Sequence, residues 1–172
     1  MNIKGYVVII RAIEDKDNEM LLSIINDSET EYMLGGWSFP VSSSDQEKWT
    51  SRLTDDKNSL RCAIDVSDKP IGVVTLTGID YKNGTAEVGI KLINSNVRGK
   101  GYGTDTLNTI VKYAFNELRL NCIYARISQH NVISLGLFKK CGFEAEGILK
   151  SRLFKRGKYI DVVSLSIINP NL

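Results

Sequence analysis

Residues Arg98 to Thr104, RGKGYGT, combine three glycines at alternate positions with two cations and run straight into DTLNTIVKYAFNEL. That composition suits phosphate. Glycines 99, 101 and 103 let the backbone turn so that successive N–H groups converge on one anion. The helix expected to begin near Gly103 adds the partial positive charge of its N-terminus, and Arg98 and Lys100 add full charges. Donors spread over more than one cluster of oxygens suit a pyrophosphate better than a carboxylate. Two other phosphate loops fail on the residues. GxxxxGK[ST] is broken because Gly101 follows Lys100, and GxGxxG is broken because position 104 is threonine. The same glycines also have a plainer reading, a tight strand-to-helix turn.

The elements that position this loop can be read from the periodicity. YVVIIRAI (6–13) is a β-branched first strand. EDKDNEMLLSIIND follows with apolar residues at 20, 21, 24 and 25, a helical stripe with Asp15 or Asp17 as cap. SDQEKWTSRL is a second helix, with Ser44 and Glu47 spaced as a capping box. SLRCAIDV, PIGVVTLTGI and TAEVGIKLI predict three antiparallel strands, the last two joined by a tight turn at Asn83-Gly84. After the glycine loop come a long amphipathic helix, the strand CIYARIS and the helix NVISLGLFKKC, closed by Gly142. A terminal hairpin turning at Arg156-Gly157 completes the order. These elements predict one α+β (mixed α/β) domain over residues 1–172.

Of the 172 residues, 42% are hydrophobic and 24% charged, as in soluble globular domains. No apolar run approaches the roughly 20 residues of a membrane span, and the N-terminal apolar patch is too short for a signal-peptide core. Membrane attachment is therefore not expected. Cys62, Cys122 and Cys141 lack metal-like spacing and read as reduced thiols of a cytoplasmic protein without a metal. The net charge of +2 conceals a split. Residues 1–90 carry 15 acidic against 9 basic side chains, and residues 91–172 carry 5 against 13. The split predicts that the two halves meet partners of opposite sign. Nucleic acid is a weak candidate, because the basic residues are scattered and not interleaved with aromatics.

Arg98-Gly99-Lys100-Gly101-Tyr102-Gly103 resembles the [QR]-x-x-G-x-[GA] signature of the GNAT superfamily of N-acetyltransferases. The segment N-x-x-S-x-x-x-F-x-K-x-G-F at 131–143 is similar to that family's N-x-x-A-x-x-x-Y-x-x-x-G-F. The likeness extends over nearly the whole chain, and EGILKSRLFKRGKYIDVV is most similar to the branch of ribosomal-protein N-terminal, polyamine and nucleotide-sugar amine acetyltransferases. The resemblance implies a mostly antiparallel sheet of about seven strands, splayed into a V and flanked by about four helices. It also implies acetyl-CoA as co-substrate, a small-molecule amine or a protein N-terminus as acceptor, and a homodimer.

The resemblance assigns residues as well. Arg98, Gly99, Lys100, Gly101, Tyr102, Gly103 and Thr104 would hold the pyrophosphate. Asn131, Ser134, Phe138 and Lys140 would lie along the cofactor, and main-chain groups near Leu92 and Ile93 would pair with pantetheine as an added strand does. Glu87, on the strand face opposite Ala86, Val88, Ile90 and Leu92, is the candidate base, directly or through water. Its plainer role is an ion pair with Lys91 or another neighbour. Phe138 stands where the family has a tyrosine that protonates the leaving thiolate, so Ser134, Cys141 or water must do so if anything does. Phe138 instead raises a rival reading, a non-catalytic acyl-CoA-binding module. His130 is a candidate base with a capping role as its alternative. Trp37, Phe39 and Tyr159 are candidate walls of the acceptor pocket. Seven carboxylates in EDKDNEMLLSIINDSETEY form either solvated helix faces or a rim attracting a cationic amine.

Overall fold

In the computed structural model, residues 1–36, 39–93 and 97–171 are described. The alternation of TAEVGIKL becomes strand β5 (Thr85–Leu92) at the middle of an eight-stranded sheet. Before it come β1 (Ile3–Lys4), β2 (Ile9–Ala12), β3 (Leu60–Val66) and β4 (Lys69–Asp80), and after it β6 (Cys122–Ser128), β7 (Glu144–Lys155) and β8 (Lys158–Ile168). The spatial order is β1-β2-β3-β4-β5-β6-β8-β7, and every pair is antiparallel except β5–β6. Five α-helices are described: α1 (Asn18–Ile25), α2 (Ser28–Met33), α3 (Ser43–Ser51), α4 (Tyr102–Asn116) and α5 (Val132–Lys140).

Ile10, Ile64, Val74, Leu76 and Val88 point to one face of the sheet and pack against Leu107, Ile110 and Ala114 of α4, all buried. Full burial of such side chains contributes about 1.5–3 kcal/mol each, so α4 is held in place by its apolar stripe. The opposite face, with Val73, Thr75, Gly89 and Lys91, lies beneath α1 and α3.

Several local expectations are revised. The cap of α3 is Ser42, whose Oγ accepts from Asp45 N–H at 3.1 Å, not Ser44 paired with Glu47. Three successive serines can all cap, and the first is the one that does. The turn after β4 is longer than a two-residue hairpin. Asp80 accepts from the N–H groups of Lys82 and Asn83, and only Gly84 takes a positive φ, of 68°. The terminal hairpin turns as expected, with Arg156 at φ 47° and Gly157 at φ 80°, the paired positive angles that match strand twist. The short helix α2 and the two-residue strand β1 have no counterpart in the sequence reading.

Asp105, in the first turn of α4, ties the N-terminal segment to the body. Its carboxylate accepts from the N–H groups of Tyr6, Val7 and Val8 at 2.9, 2.7 and 2.9 Å. Burial works against its charge, yet the three N–H groups outweigh it and hold the carboxyl below its usual range. The resulting stabilisation is complete above the ordinary carboxylate value of about 3.9 and fades as pH falls through it. Asp105→Ala should cost about 1–2 kcal/mol at neutral pH, read as a melting point lower by several degrees. An unchanged melting point would remove this role.

Candidate active site

The site forms where β5 leaves β6. The two strands pair in parallel only at Thr85, Ala86 and Glu87, opposite Cys122, Ile123 and Tyr124, and a V opens beyond. On its other side β5 stays paired with β4, and Ile93 N–H donates to Ile71 O at 2.9 Å. By the alternation of a strand, the main-chain groups of Ile90 and Leu92 therefore point into the V. This corrects the expectation for Ile93, whose N–H is committed to β4, and adds Ile90, which the sequence reading did not select.

Three hollows converge at this opening. A narrow cleft of about 70 Å³ lies between Val88–Ile90 and Ala125–Ser128, with Phe138 and Ser134 among its walls. A slot of about 160 Å³ runs from Ile90 and Leu92 past Asn131, Ser134 and Leu137 to Arg98. On the opposite face of β5 a cavity of about 560 Å³ lies under α1 and α3, walled by Leu21, Ile24, Trp49, Arg61, Thr75 and Lys91. Leu34 and Ile90 line all three, and Gly89 and Lys91 each line two. The slot and the cavity thus meet across one short stretch of β5.

The glycine loop caps the far end of the slot. Gly99 and Gly101 take φ of 75° and 84°, and Gly101 is the N-cap of α4. No side chain caps this helix, and the first intrahelical bond is Asp105 N–H to Gly101 O at 3.0 Å. The N–H groups of Tyr102, Gly103 and Thr104 are the ones a helix leaves without internal partners at its start. Gly103 is buried against α5. A Cβ there would lie 3.1 Å from Leu137 Cδ2, so glycine allows the two helices to close. Arg98 and Lys100 are exposed beside the loop. Lys140, at the other end of α5 from Asn131, is exposed next to Cys141, whose Sγ lies 4.0 Å from Thr104 O.

Around the V, side chains hold one another. Glu87 forms a two-pronged ion pair with Arg126, at 3.0 Å from Nε and 2.5 Å from Nη2. Its partner is therefore Arg126 on β6 and not Lys91. Asn131 caps α5, accepting from Ser134 N–H at 3.1 Å, and donates to Met33 O at 3.2 Å. His130 makes two bonds: Nε2 to Tyr32 O at 2.9 Å and Nδ1 to Ser128 Oγ at 2.7 Å. A carbonyl only accepts, so Nε2 donates to Tyr32 O, and Nδ1 is paired with the Ser128 hydroxyl. His130 acts as a tie and leaves neither nitrogen free for a substrate proton. Phe138 is buried and meets Phe143 edge-on at 4.9 Å between centroids.

Part of the charge split of the sequence is settled inside the molecule. Lys155, buried in the β7–β8 hairpin, pairs with the Glu31 carboxylate and donates to Glu31 O at 2.8 Å. Arg156 pairs with Glu29 at 2.5 Å and lies 4.0 Å over the Tyr32 ring, which stacks on His130. Helix α2 is thereby fixed over the mouth of the V. Of the expected aromatic walls, Trp37 lies outside the described residues, and Phe39 is exposed. Tyr159 is exposed against Phe154 and lines none of the three hollows. Trp49 does line the cavity under α1 and α3. Its sequence context, a polar helix, carried no sign of that. Among the described residues no cluster of His, Cys, Asp or Glu could hold a metal, and no helix is long and apolar enough to cross a membrane.

Comparison with known proteins agrees with this geometry. The chain is 29% identical over 163 residues to the uncharacterized N-acetyltransferase p20 of Bacillus licheniformis, covering 92% of this chain and 91% of that one. It is 28% identical over 162 residues to the spermidine N(1)-acetyltransferase of Vibrio cholerae, with the same shares covered. The crystal structure of spermidine N-acetyltransferase from Vibrio cholerae in complex with CoA and spermine superposes with a TM-score of 0.87 at 26% identity, covering 94% of this chain and 95% of that one. The family model described as "Acetyltransferase (GNAT) domain" matches residues 8–144, and the chain belongs to the GNAT acetyltransferases.

Proposed function

We propose that the protein transfers an acetyl group from acetyl-CoA to a primary amine, by direct attack within a ternary complex. The observation that carries this reading is the meeting of a slot and a separate cavity at Gly89–Lys91, so that donor and acceptor reach one point from opposite faces of β5. When bound, acetyl-CoA supplies an activated acyl carbon as a thioester. The residues present fit it. The uncapped start of α4, the Gly99 and Gly101 turn, Arg98, Lys100 and Lys140 suit its phosphates, and the open edge at Ile90 and Leu92 suits a pantetheine amide pair. Relatives that bind CoA and acetylate spermidine support the same reading.

Within this scheme Glu87 receives the amine proton. Its two oxygens have more lone pairs than Arg126 occupies, so a water or the amine can still bond to them. Glu87→Gln should lower kcat/KM by about 10²–10³-fold while leaving CoA affinity near wild type. An unchanged kcat/KM and pH profile would remove Glu87 from the mechanism. Ser134 lines both slot and cleft, which supports its hydroxyl over Cys141 as the proton donor to the departing thiolate. Cys141 is at the other end of α5, and burial raises its thiol pKa. Cys62 is buried in the core, its pKa pushed up to about 11, which argues against an acetyl-cysteine intermediate. A homodimer and a cytoplasmic location complete the proposal, the second supported by three free cysteines. Acetyl-CoA incubated with a panel of amines and peptides should release free thiol. CoA binding without any release would point to a binding module instead.

A further inference from the structure

The acceptor-side cavity differs in charge from what a polycation requires. No carboxylate lines it among the described residues, and its walls are mainly aliphatic with Trp49. Two cationic residues, Arg61 and Lys91, line it. Arg61 is already paired with Asp56 at 3.2 Å. Lys91 makes no hydrogen bond or ion pair among the described residues, although it stands on β5 at the point where slot and cavity join. Burial pulls its ammonium below the ordinary lysine value, as expected of a desolvated cation without a counter-charge. The acidic N-terminal stretch does not offset it. Asp17 is held by Arg11, Glu29 by Arg156 and Glu31 by Lys155. A separate recess bordered by Glu19, Asp27 and Glu29 adjoins Arg98 and does not reach Gly89.

We propose that the acceptor is an amine on an apolar body that also bears an anionic group, a carboxylate received by Lys91 Nζ, rather than a polyamine. This rests on the acetyl-transfer reading for the amine, but not for the anion. A half-buried ammonium left unpaired is costly, and a carboxylate brought to it gains a charge-assisted bond in a site shielded from water. Aliphatic walls and the Trp49 ring take the apolar body. Gly89 lines the cavity beside Thr75, and a Cβ there would lie 3.0 Å from Thr75 Oγ1.

The test has a binding arm and a turnover arm. In calorimetry with the CoA-loaded protein, phenylbutyrate should bind, and Lys91→Met should weaken it about tenfold or more. Lys91→Arg should restore it, and the neutral amide of phenylbutyrate should not respond to either change. Melting curves and CoA affinity report whether each variant is folded. In the thiol-release assay, phenylalanine and para-(aminomethyl)phenylacetate place the carboxylate near to and far from the amine. At least one should exceed both its methyl ester and spermidine about tenfold in kcat/KM. Preference for spermidine or for the esters, or phenylbutyrate binding indifferent to Lys91→Met, overturns the proposal. Lys91-dependent binding with no thiol release from any amine would uphold the anion site and defeat the acetyl-transfer reading.

Discussion

Arg11→Met should lower the free energy of unfolding by about 3–5 kcal/mol. Arg11 lies on β2 and is 8% exposed; Asp17 is 0% exposed at the turn into α1, and Asp65 on β3 is 8% exposed. The guanidinium spends all its donor directions here. It binds Asp65 through Nε at 2.6 Å and Nη2 at 2.9 Å, Asp17 through Nη1 at 2.7 Å and Nη2 at 2.9 Å, and Ala12 O at 2.9 Å. Removing it leaves two carboxylates out of water with no cation between them, a greater loss than the net value of the triad. Adding Asp17→Asn and Asp65→Asn should therefore recover part of the stability. The pH response gives a second readout. Burial opposes the charge on Asp17, but its bonds to Arg11 and Glu14 N–H prevail and hold it below the usual range. In the wild-type protein its contribution is complete above about pH 4 and is lost as pH falls through that region. In Arg11→Met burial is opposed by little more than the Glu14 N–H bond, so the folded state moves toward the protonated acid, and the deficit should shrink on acidification. Urea unfolding at several pH values measures both effects. A deficit under 1 kcal/mol, or one independent of pH, would contradict this account. Because Asp17 starts α1, which walls the cavity proposed for the acceptor, loss of substrate affinity should accompany the instability.

Gly72→Ala should reduce kcat/KM by about 100-fold. A Cβ at Gly72 would lie 2.2 Å from Lys91 O and 3.0 Å from Leu92 Cα. Both are backbone atoms of β5, so no rotamer relieves the overlap and the strand itself must shift. The displaced part is the edge that faces the V, and misplacing a reactive group by about 1 Å costs rate on this scale. Overpacking should cost about 1–3 kcal/mol as well. Thiol-release kinetics and CoA titration, set beside a melting curve, separate the two. Gly136→Ala is the control, because a Cβ there meets no atom within 4 Å and the site lies within helix α5. Wild-type turnover by folded Gly72→Ala would show that this edge does not govern the chemistry.

Much of this protein was legible from short-range patterns. The stripe of α4, the alternation of β5, the CIYARIS strand and the Arg156-Gly157 turn are local consequences of side-chain period and allowed φ angles. The glycine loop was legible for the same reason, since Gly99 and Gly101 adopt the positive φ angles that glycine tolerates. Helix α2 was not. It is six residues long and has no buried residue, so it carries no periodic signal, and its position depends on Lys155 and Arg156, over a hundred positions away.

The same division holds for the site. By itself the sequence determined the family, the glycine turn into α4 and the strand that carries Glu87, because each depends on neighbours in the chain. Only the tertiary structure decided that Glu87 pairs with Arg126, that Ile90 rather than Ile93 faces the V, that Trp49 and not Tyr159 lines the cavity under α1 and α3, and that Lys91 stands there without a partner among the described residues. Those facts depend on strand register and on which face of a sheet a distant helix covers, and no local pattern encodes either.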